Sequence, residues 1–249
     1  MKLLQFETPH GTFYTCHNDI VFVDHLSKGI VFEEDLIFQY ILPLLQSSSP
    51  KIVLDIGGHI GSHTVLYAKY IPNVTVHTFE PQSVLYQILT KNVSQNNLTN
   101  VKTYPTAVGH KEGMCTMSEM LYDGYNTKIT YDTDRYLNYG GVSVGKGGEA
   151  VSICTIDSLQ LPGCDYIKID VEGAEALVIL GGLQTIRMYR PLLFFEHTDK
   201  TVTAEMKESM GIPKEQEIED PLEILQKEGY QCIHVKGENV LALPKEHCY

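Results

Sequence analysis

Four side chains that can accept a proton or bind a metal ion follow two apolar segments in the second half of the chain: Asp170, Glu172, Glu196 and His197. The first two follow segment 166–169, and the other two follow segment 192–195. Both segments are rich in β-formers and are predicted to be strands. Ligands of open α/β sheets bind at the carboxyl ends of the strands. The four side chains are therefore predicted to be catalytic.

Two chemistries are open to this group. His197 is the best candidate base, because an unperturbed imidazole has a pKa near 6.5 and can accept a proton at neutral pH. Alternatively, Asp170 and Glu196 could hold Mg²⁺ or Mn²⁺, which prefer oxygen ligands and lower the pKa of a coordinated hydroxyl. The simpler alternative for His197 is a histidine that packs or caps at the end of its strand.

A glycine-rich turn in the first half of the chain predicts a cofactor site. Apolar residues run into an acid, then into glycines and then into an amphipathic segment, which is typical of a strand, a tight turn and a helix start. Glycine lets the backbone approach a ligand, and a helix start presents free N–H groups to it. The pyrophosphate pattern G-x-G-x-x-G is not met, so another nucleoside cofactor is expected unless the turn is an ordinary one. The residues assigned to this site are Asp55, Gly57, Gly58, His59, Gly61 and Ser62.

A second acid lies at the end of the next predicted strand, segment 74–79. Glu80 follows the glycine turn by about 20 residues, the distance at which a carboxylate binds both ribose hydroxyls in βαβ nucleotide-binding units. Pro81 stops the strand and suits the start of a helix. Glu80 could also be an acid favoured by the helix dipole. We assign both residues to the cofactor site.

Strands that alternate with helices predict a doubly wound, mostly parallel α/β sheet with an antiparallel hairpin at its end. Residues 3–23 are predicted to be short strands, 151–156 to be a strand, and 33–45 and 174–188 to be helices. One domain is expected. Its parts are an N-terminal hairpin and helix (1–46), a cofactor-binding core (51–197), an insertion (120–149) and a terminal helix and hairpin (220–249).

The insertion lacks a sustained helical or strand period. A loop of this length inside a compact domain is functional or disordered. Aromatic rings with hydroxyls suit a binding surface, so we expect a lid over the substrate, although some of the rings could instead be packed in the core. The tyrosines concerned are Tyr122, Tyr125, Tyr131, Tyr136 and Tyr139.

Composition restricts the partners. The net charge of the 249-residue chain is −12, which argues against nucleic acid or an anionic membrane as the main partner. No apolar run is long enough to span a membrane, and no signal peptide is expected. The cysteines show no metal-binding spacing, which predicts free thiols in a reducing, cytoplasmic location.

Several motifs together resemble the FkbM family of methyltransferases. The family shows a D-I-G-x-x-I-G turn, an F-E-P strand end, a T-x-D-x-L segment, an acidic signature after the fourth strand and an acid after the fifth. These are matched in order by 55–61, 79–81, 155–159, 165–175 and Glu196. Gly58 and His59 stand where the family more often has Ala and Asn.

The resemblance implies a seven-stranded class I methyltransferase sheet, which is Rossmann-like, with its last strand antiparallel. It implies that S-adenosylmethionine is the cofactor, with the methionine part at the glycine turn and Thr106, Ala107 and Val108 beside the adenine. It also implies methyl transfer to an oxygen, often a sugar or polyketide hydroxyl. It does not transfer substrate choice.

Two function classes remain open on these grounds. The first is an O-methyltransferase for a small-molecule or glycan hydroxyl, and the second is a catalytically silent cofactor-binding module. The acids and the histidine gathered at two strand ends favour the enzyme. A nucleic-acid methyltransferase is a weaker alternative because of the acidity of the chain.

Overall fold

The protein is an α/β domain built around one large sheet. The computed structural model describes residues 2–48, 51–119, 121–122, 137–198 and 202–247. The strands are β1 (Leu3–Thr8), β2 (Gly11–Cys16), β3 (Ile52–Ile56), β4 (Thr75–Phe79), β5 (Val101–Tyr104), β6 (Ala107–Val108), β7 (Gly113–Ser118), β8 (Leu121–Tyr122), β9 (Leu137–Asn138), β10 (Gly147–Cys154), β11 (Tyr166–Ile169), β12 (Leu192–Glu196), β13 (Tyr230–Lys236) and β14 (Asn239–Pro244). The helices are α1 (Ile20–Ser27), α2 (Glu34–Leu36), α3 (Leu42–Ser48), α4 (Ser62–Tyr70), α5 (Ser83–Gln95), α6 (Glu175–Leu180), α7 (Leu183–Tyr189), α8 (Ala204–Ser209) and α9 (Pro221–Lys227).

The main sheet has seven strands in the order β13-β14-β12-β11-β3-β4-β5. Strand β14 runs antiparallel to β12 and β13, whereas β12, β11, β3, β4 and β5 pair in parallel. The predicted doubly wound seven-stranded sheet with an antiparallel terminal hairpin is therefore confirmed. The parallel strands all end at one edge, which is where the predicted site residues follow β3, β4, β11 and β12.

Hydrophobic cores cover both faces of the sheet. Val53 and Tyr166 belong to the core that packs against α3 and α4, whereas Leu54 and Ile167 belong to the core against α6 and α9. This alternation is the two-residue period of strands buried on both faces. It places Lys168, two residues after Tyr166, on the α4 side of the sheet.

Segment 151–156 lies outside the main sheet. It falls mostly within β10, which pairs in parallel with β6 and antiparallel with β7 in a separate three-stranded sheet. This small sheet has its own core against α6 and α8, which includes Val151 and Met206.

The N-terminal region is a hairpin followed by helices. Strands β1 and β2 confirm the hairpin, but the predicted strand character near Val23 is wrong. Asp19 accepts a hydrogen bond from the backbone N–H of Phe22 and thereby caps α1, so the chain turns into a helix at that point.

Two predicted helices are interrupted. Between α2 and α3 the chain forms a π-helical turn (Ile37–Ile41). Pro43 lacks an N–H and would clash with the carbonyl four residues earlier, and the wider turn relieves that clash. The helix predicted over 174–188 is wrong as one element and is two helices, α6 and α7. They are separated where Gly181 approaches the backbone of Gly109 so closely that a Cβ would lie 1.9 Å from its carbonyl oxygen.

Only part of the predicted insertion can be placed. Residues 120 and 123–136 lie outside the described residues, and so do Tyr125, Tyr131 and Tyr136. Tyr139 is buried in the core rather than presented on a surface. Its hydroxyl donates to Asn18 Oδ1 over 3.3 Å, and its carbonyl accepts from Gln82 Nε2 over 3.0 Å.

None of the helices in the described ranges has the length and hydrophobicity needed to cross a bilayer. Among the described residues, Cys115, Cys154, Cys164 and Cys232 are free thiols.

Candidate active site

A cavity of about 900 Å³ opens at the carboxyl edge of the main sheet. Residues that follow β3, β4, β11 and β12 line it, together with the start of α1, the segment before α2, Asn138 and residues 140–144. Ligand pockets in proteins usually measure about 300–1,000 Å³. The cavity is therefore large enough for a cofactor and a second small molecule.

The glycine turn forms one side of this cavity. Gly57 and Gly58 line it, and their N–H groups donate to the carbonyl of Phe79 over 3.0 and 2.9 Å. Gly57 has a φ of +80°, and a Cβ there would lie 1.8 Å from the carbonyl oxygen of Asp170. The glycine is thus required for contact between two strand ends of the protein itself, in addition to any approach to a ligand. Gly61 packs against Leu89 and does not line the cavity.

Behind the turn lies a buried chain of charges. Asp55 is fully buried and accepts a hydrogen bond from Thr64 Oγ1. Lys168 is 4 % exposed, and its Nζ donates to the Gly57 carbonyl over 2.8 Å. The same Nζ lies 3.6 Å from Asp55 Oδ1 and 3.2 Å from Asp170 Oδ2. Asp55 therefore supports the turn from behind instead of facing the cavity, and Lys168 joins the two acids.

The two acids keep Lys168 charged. Burial acts to lower the pKa of the ammonium, but Asp170 and Asp55 outweigh it and raise that pKa. Burial likewise acts to raise the pKa of Asp170, and the Lys168 ammonium holds it below its usual value. Both groups are ionised at neutral pH.

Glu80 lies at the end of β4 and faces the cavity. Its Oε2 accepts from the N–H of His59 over 2.9 Å, and its Oε1 accepts from the N–H of Gln82 over 2.8 Å. Burial raises its pKa to about 8, against the lowering effect of these two bonds. A protonated carboxyl group keeps acceptor positions and gains one O–H donor, so the group can bind a pair of ligand hydroxyls.

His59 and Ser62 complete the turn. The His59 ring stacks on Phe22 at 4.3 Å between centroids, and its Nε2 lies 3.8 Å from Asp19 Oδ2. Burial lowers the pKa of His59 to about 3, so the ring is neutral. Ser62 begins α4 and lines the cavity.

Further along the cavity lie Pro81, Thr106, Ala107 and Val108. The last two form strand β6, and Thr106 Oγ1 donates to the carbonyl of Ser152 over 2.8 Å. The small second sheet therefore fixes this apolar end of the cavity in place.

Three of the four predicted catalytic residues come together. Asp170, Glu172 and Glu196 each offer a carboxylate oxygen, and these oxygens all lie within 4.8 Å of one another. Glu172 reaches the group from a left-handed backbone conformation with a φ of +58°. We call these three residues the acid cluster. Sequence reasoning placed a metal on two of them, and the geometry adds Glu172 as a third oxygen donor.

His197 is not brought into the large cavity. Its Nε2 lies 2.9 Å from Asp220 Oδ2, and its backbone N–H donates to the Glu238 carbonyl over 2.7 Å. It lines a smaller cavity of about 120 Å³ next to the start of α9. The histidine thus ties the end of β12 to a helix.

Sequence reasoning missed several lining residues. Lys168 had a signal, because it is a single charge inside the otherwise apolar strand β11. Asp19 and Glu33 had no such signal in the sequence, because the N-terminal region reaches the cavity only through tertiary packing.

The family model described as the methyltransferase FkbM domain matches residues 55–232. No curated protein sequence matches the chain.

Solved methyltransferase structures are similar to the chain at low sequence identity. The O-methyltransferase TomG from Streptomyces achromogenes, in complex with SAM, is 9% identical with a TM-score of 0.50, covering 90% of this chain and 87% of its own. The O-methyltransferase from Bacillus cereus, in complex with SAH, is 16% identical with a TM-score of 0.47, covering 83% and 79%. A methyltransferase FkbM from Methylobacillus flagellatus KT is 15% identical with a TM-score of 0.47. The match covers 78% of this chain but 44% of that protein.

The family match spans more than half of the chain, from the acid before the glycine turn to the terminal hairpin. The chain belongs to the FkbM family of S-adenosylmethionine-dependent methyltransferases.

Proposed function

We propose that the protein transfers a methyl group from S-adenosylmethionine to a hydroxyl of a small molecule or glycan, with a sugar hydroxyl as the preferred acceptor. One observation carries this proposal. The acid cluster lies in the same cavity as the glycine turn and Glu80. A catalytically silent cofactor-binding module would not need a group of carboxylates at the place where an acceptor enters.

The cofactor is proposed to lie along the sheet edge. The methionine part would contact Gly57, Gly58 and Ser62, and the two ribose hydroxyls would bind Glu80, whose protonated carboxyl group keeps acceptor positions and has one O–H donor. The adenine would lie between Pro81 and the segment 106–108. Asp55, His59 and Gly61 would shape the turn from behind it or beside it.

Methyl transfer requires that the acceptor oxygen, the methyl carbon and the sulfur lie in line and that the hydroxyl proton has somewhere to go. The acid cluster supports both requirements. Its carboxylates can orient a hydroxyl by accepting its hydrogen bond, and an ionised carboxylate can take the proton as the new bond forms. The acceptor is therefore proposed to enter beside Asp170, Glu172 and Glu196.

The cluster also fits a divalent cation. Three carboxylates whose oxygens approach within 4.8 Å are the hard ligands that Mg²⁺ and Mn²⁺ prefer. We propose Asp170, Glu172 and Glu196 as the ligands. A cation bound there would lower the pKa of the acceptor hydroxyl. Lys168 would keep Asp170 ionised for this purpose.

We assign His197 a positioning role instead of the role of base. Its ring bonds to Asp220 and lies outside the large cavity. The His197–Asp220 pair fixes the end of β12 and hence the backbone that carries Glu196.

The test is incubation with methyl-labelled S-adenosylmethionine and a panel of sugars, glycans, phenols and nucleosides, with and without a chelator. We expect label on a sugar hydroxyl, loss of transfer with the chelator and recovery with Mg²⁺ or Mn²⁺. Transfer that persists with the chelator would remove the cation from the proposal and leave a carboxylate as the base. Label on a ring nitrogen of a nucleoside and on no hydroxyl would contradict the proposed function.

A further inference from the structure

The walls of the large cavity are strongly acidic. Besides the acid cluster, Asp19, Glu33 and Glu238 line it. Among the described lining residues, Lys168 is the only lysine or arginine. Its charge is already matched by Asp55 and Asp170, at 3.6 and 3.2 Å. The cavity therefore presents a negative potential to whatever enters it.

Part of this charge lies far along the chain from the cofactor motifs. Asp19 caps α1, and Glu33 comes directly before α2 in a left-handed conformation with a φ of +56°. Phe22 and Phe32 lie between them in sequence and line the same cavity, with ring centroids 5.4 Å apart. We call these four residues the N-terminal wall.

The N-terminal wall combines the two features that proteins use to bind organic cations. Aromatic faces attract ammonium groups, and carboxylates supply the opposite charge. No positive charge inside the wall cancels its acids. The neighbouring His59 is neutral, because burial lowers its pKa to about 3. The Glu33 carboxylate lies 3.8 Å from His63 Nε2 and accepts a bond from Asn239 Nδ2 over 3.3 Å, so it is held at the cavity.

We infer that the acceptor carries an amine as well as the hydroxyl that is methylated, as in an amino sugar, and that its ammonium group binds at the N-terminal wall. This rests on the proposed function and names the substrate class of that same site. The hydroxyl would then reach the acid cluster, which lines the same cavity. Phosphorylated or carboxylated acceptors, and nucleic acid, would be repelled by these walls.

The binding test uses protein loaded with S-adenosylhomocysteine. Dissociation constants are measured for glucosamine, N-acetylglucosamine, glucose and glucose 6-phosphate. We expect glucosamine to bind at least about tenfold more tightly than N-acetylglucosamine, its neutral counterpart, which is the effect of one favourable charge pair in a partly buried setting. Glucose 6-phosphate should bind most weakly. Equal binding of the two glucosamine derivatives, or no binding of glucosamine, would overturn the inference.

Two conservative variants test whether Asp19 and Glu33 bind the ammonium group. Asp19→Asn keeps the helix cap, since Asn caps as well as Asp, and Glu33→Gln keeps an oxygen for Asn239. Each should bring the preference for glucosamine to within about threefold of N-acetylglucosamine and leave the affinity for S-adenosylhomocysteine unchanged. Asp24→Asn, on the exposed side of α1, removes the same charge outside the cavity and should change neither quantity.

Two other outcomes are informative. If Asp19→Asn or Glu33→Gln weakens the binding of S-adenosylhomocysteine instead, these acids contribute to the cofactor site and the inference is wrong. If the unaltered protein does not bind S-adenosylhomocysteine at all, the proposed function fails first, and that failure is separate from the one tested by the amines.

Discussion

Neutralising the acid cluster should abolish methyl transfer while cofactor binding remains. We expect Glu172→Gln and Glu196→Gln each to lower turnover by roughly 10²–10⁴-fold, the range for loss of a group that handles the reacting proton. Loss of a metal ligand would act in the same direction. The measurement is label transfer to the acceptor found in the panel, alongside calorimetric titration with S-adenosylhomocysteine.

Two variants serve as controls for this prediction. Glu112→Gln removes a carboxylate from an exposed turn and should leave turnover unchanged. His197→Ala should stay within about tenfold of the unaltered protein, because a general base would contribute 10² or more. If His197→Ala is the more damaging change and the cluster variants remain active, the assignment of the chemistry to the carboxylates is wrong.

Replacing Lys168 by Met should destabilise the fold by about 3–5 kcal/mol, because it leaves the charge of Asp55 buried without its partner. Asp55 is fully buried and keeps only its bond from Thr64. The free energy of unfolding from urea denaturation checks this. The matched control is Lys102→Met on strand β5 at the edge of the same sheet, where the side chain is exposed and little change is expected.

A double substitution separates charge from packing. Adding Asp55→Asn to Lys168→Met removes the orphaned charge and should recover part of the lost stability. If the two changes are additive instead, the lysine stabilises the protein through its packed methylene groups and the charge pairing contributes little.

The parts of the fold that were predictable depend on short-range patterns. The strand at 52–56 and the glycine turn after it are specified by neighbouring residues: an apolar run and a glycine with positive φ. The same holds for the terminal hairpin. The helix after the turn was also predicted, but as an amphipathic one, and that character is wrong: α4 is buried on nearly all sides from Ser62 to Ala68. The break between α6 and α7 was not predictable, because Gly181 is needed for contact with Gly109, which lies far away in sequence.

In the candidate site, too, the features set by neighbouring residues were predictable and those set by distant contacts were not. Strand ends could be read from the sequence, and the acids predicted at the ends of β4, β11 and β12 line the large cavity. The direction of the side chain directly after a strand could not be read. His197 bonds to Asp220, and nothing near it in sequence indicates that partner. Glu172 was named as catalytic but not as a third metal ligand, because its place in the cluster depends on a left-handed backbone conformation.

The N-terminal wall could not be predicted from the sequence, for a related reason. Asp19 and Glu33 lie in a region that carries little family signal. This region meets the cavity only when α1 packs against the glycine turn and the segment before α2 packs against α4. The stacking of the Phe22 ring on the His59 ring is one contact of that packing. Selectivity for the acceptor is thus proposed to reside in the part of the chain that motifs describe least.

The central claim is that this cavity binds S-adenosylmethionine with its ribose on Glu80. Calorimetric titration of the cofactor into the unaltered protein and into Glu80→Ala tests it most directly. We expect a dissociation constant in the low micromolar range, about −7 to −8 kcal/mol, and a loss of about 2 kcal/mol in the variant, since a group that forms hydrogen bonds with two ligand hydroxyls is removed. Equal affinity of the two proteins would contradict the ribose assignment, and no binding to either would contradict the account as a whole.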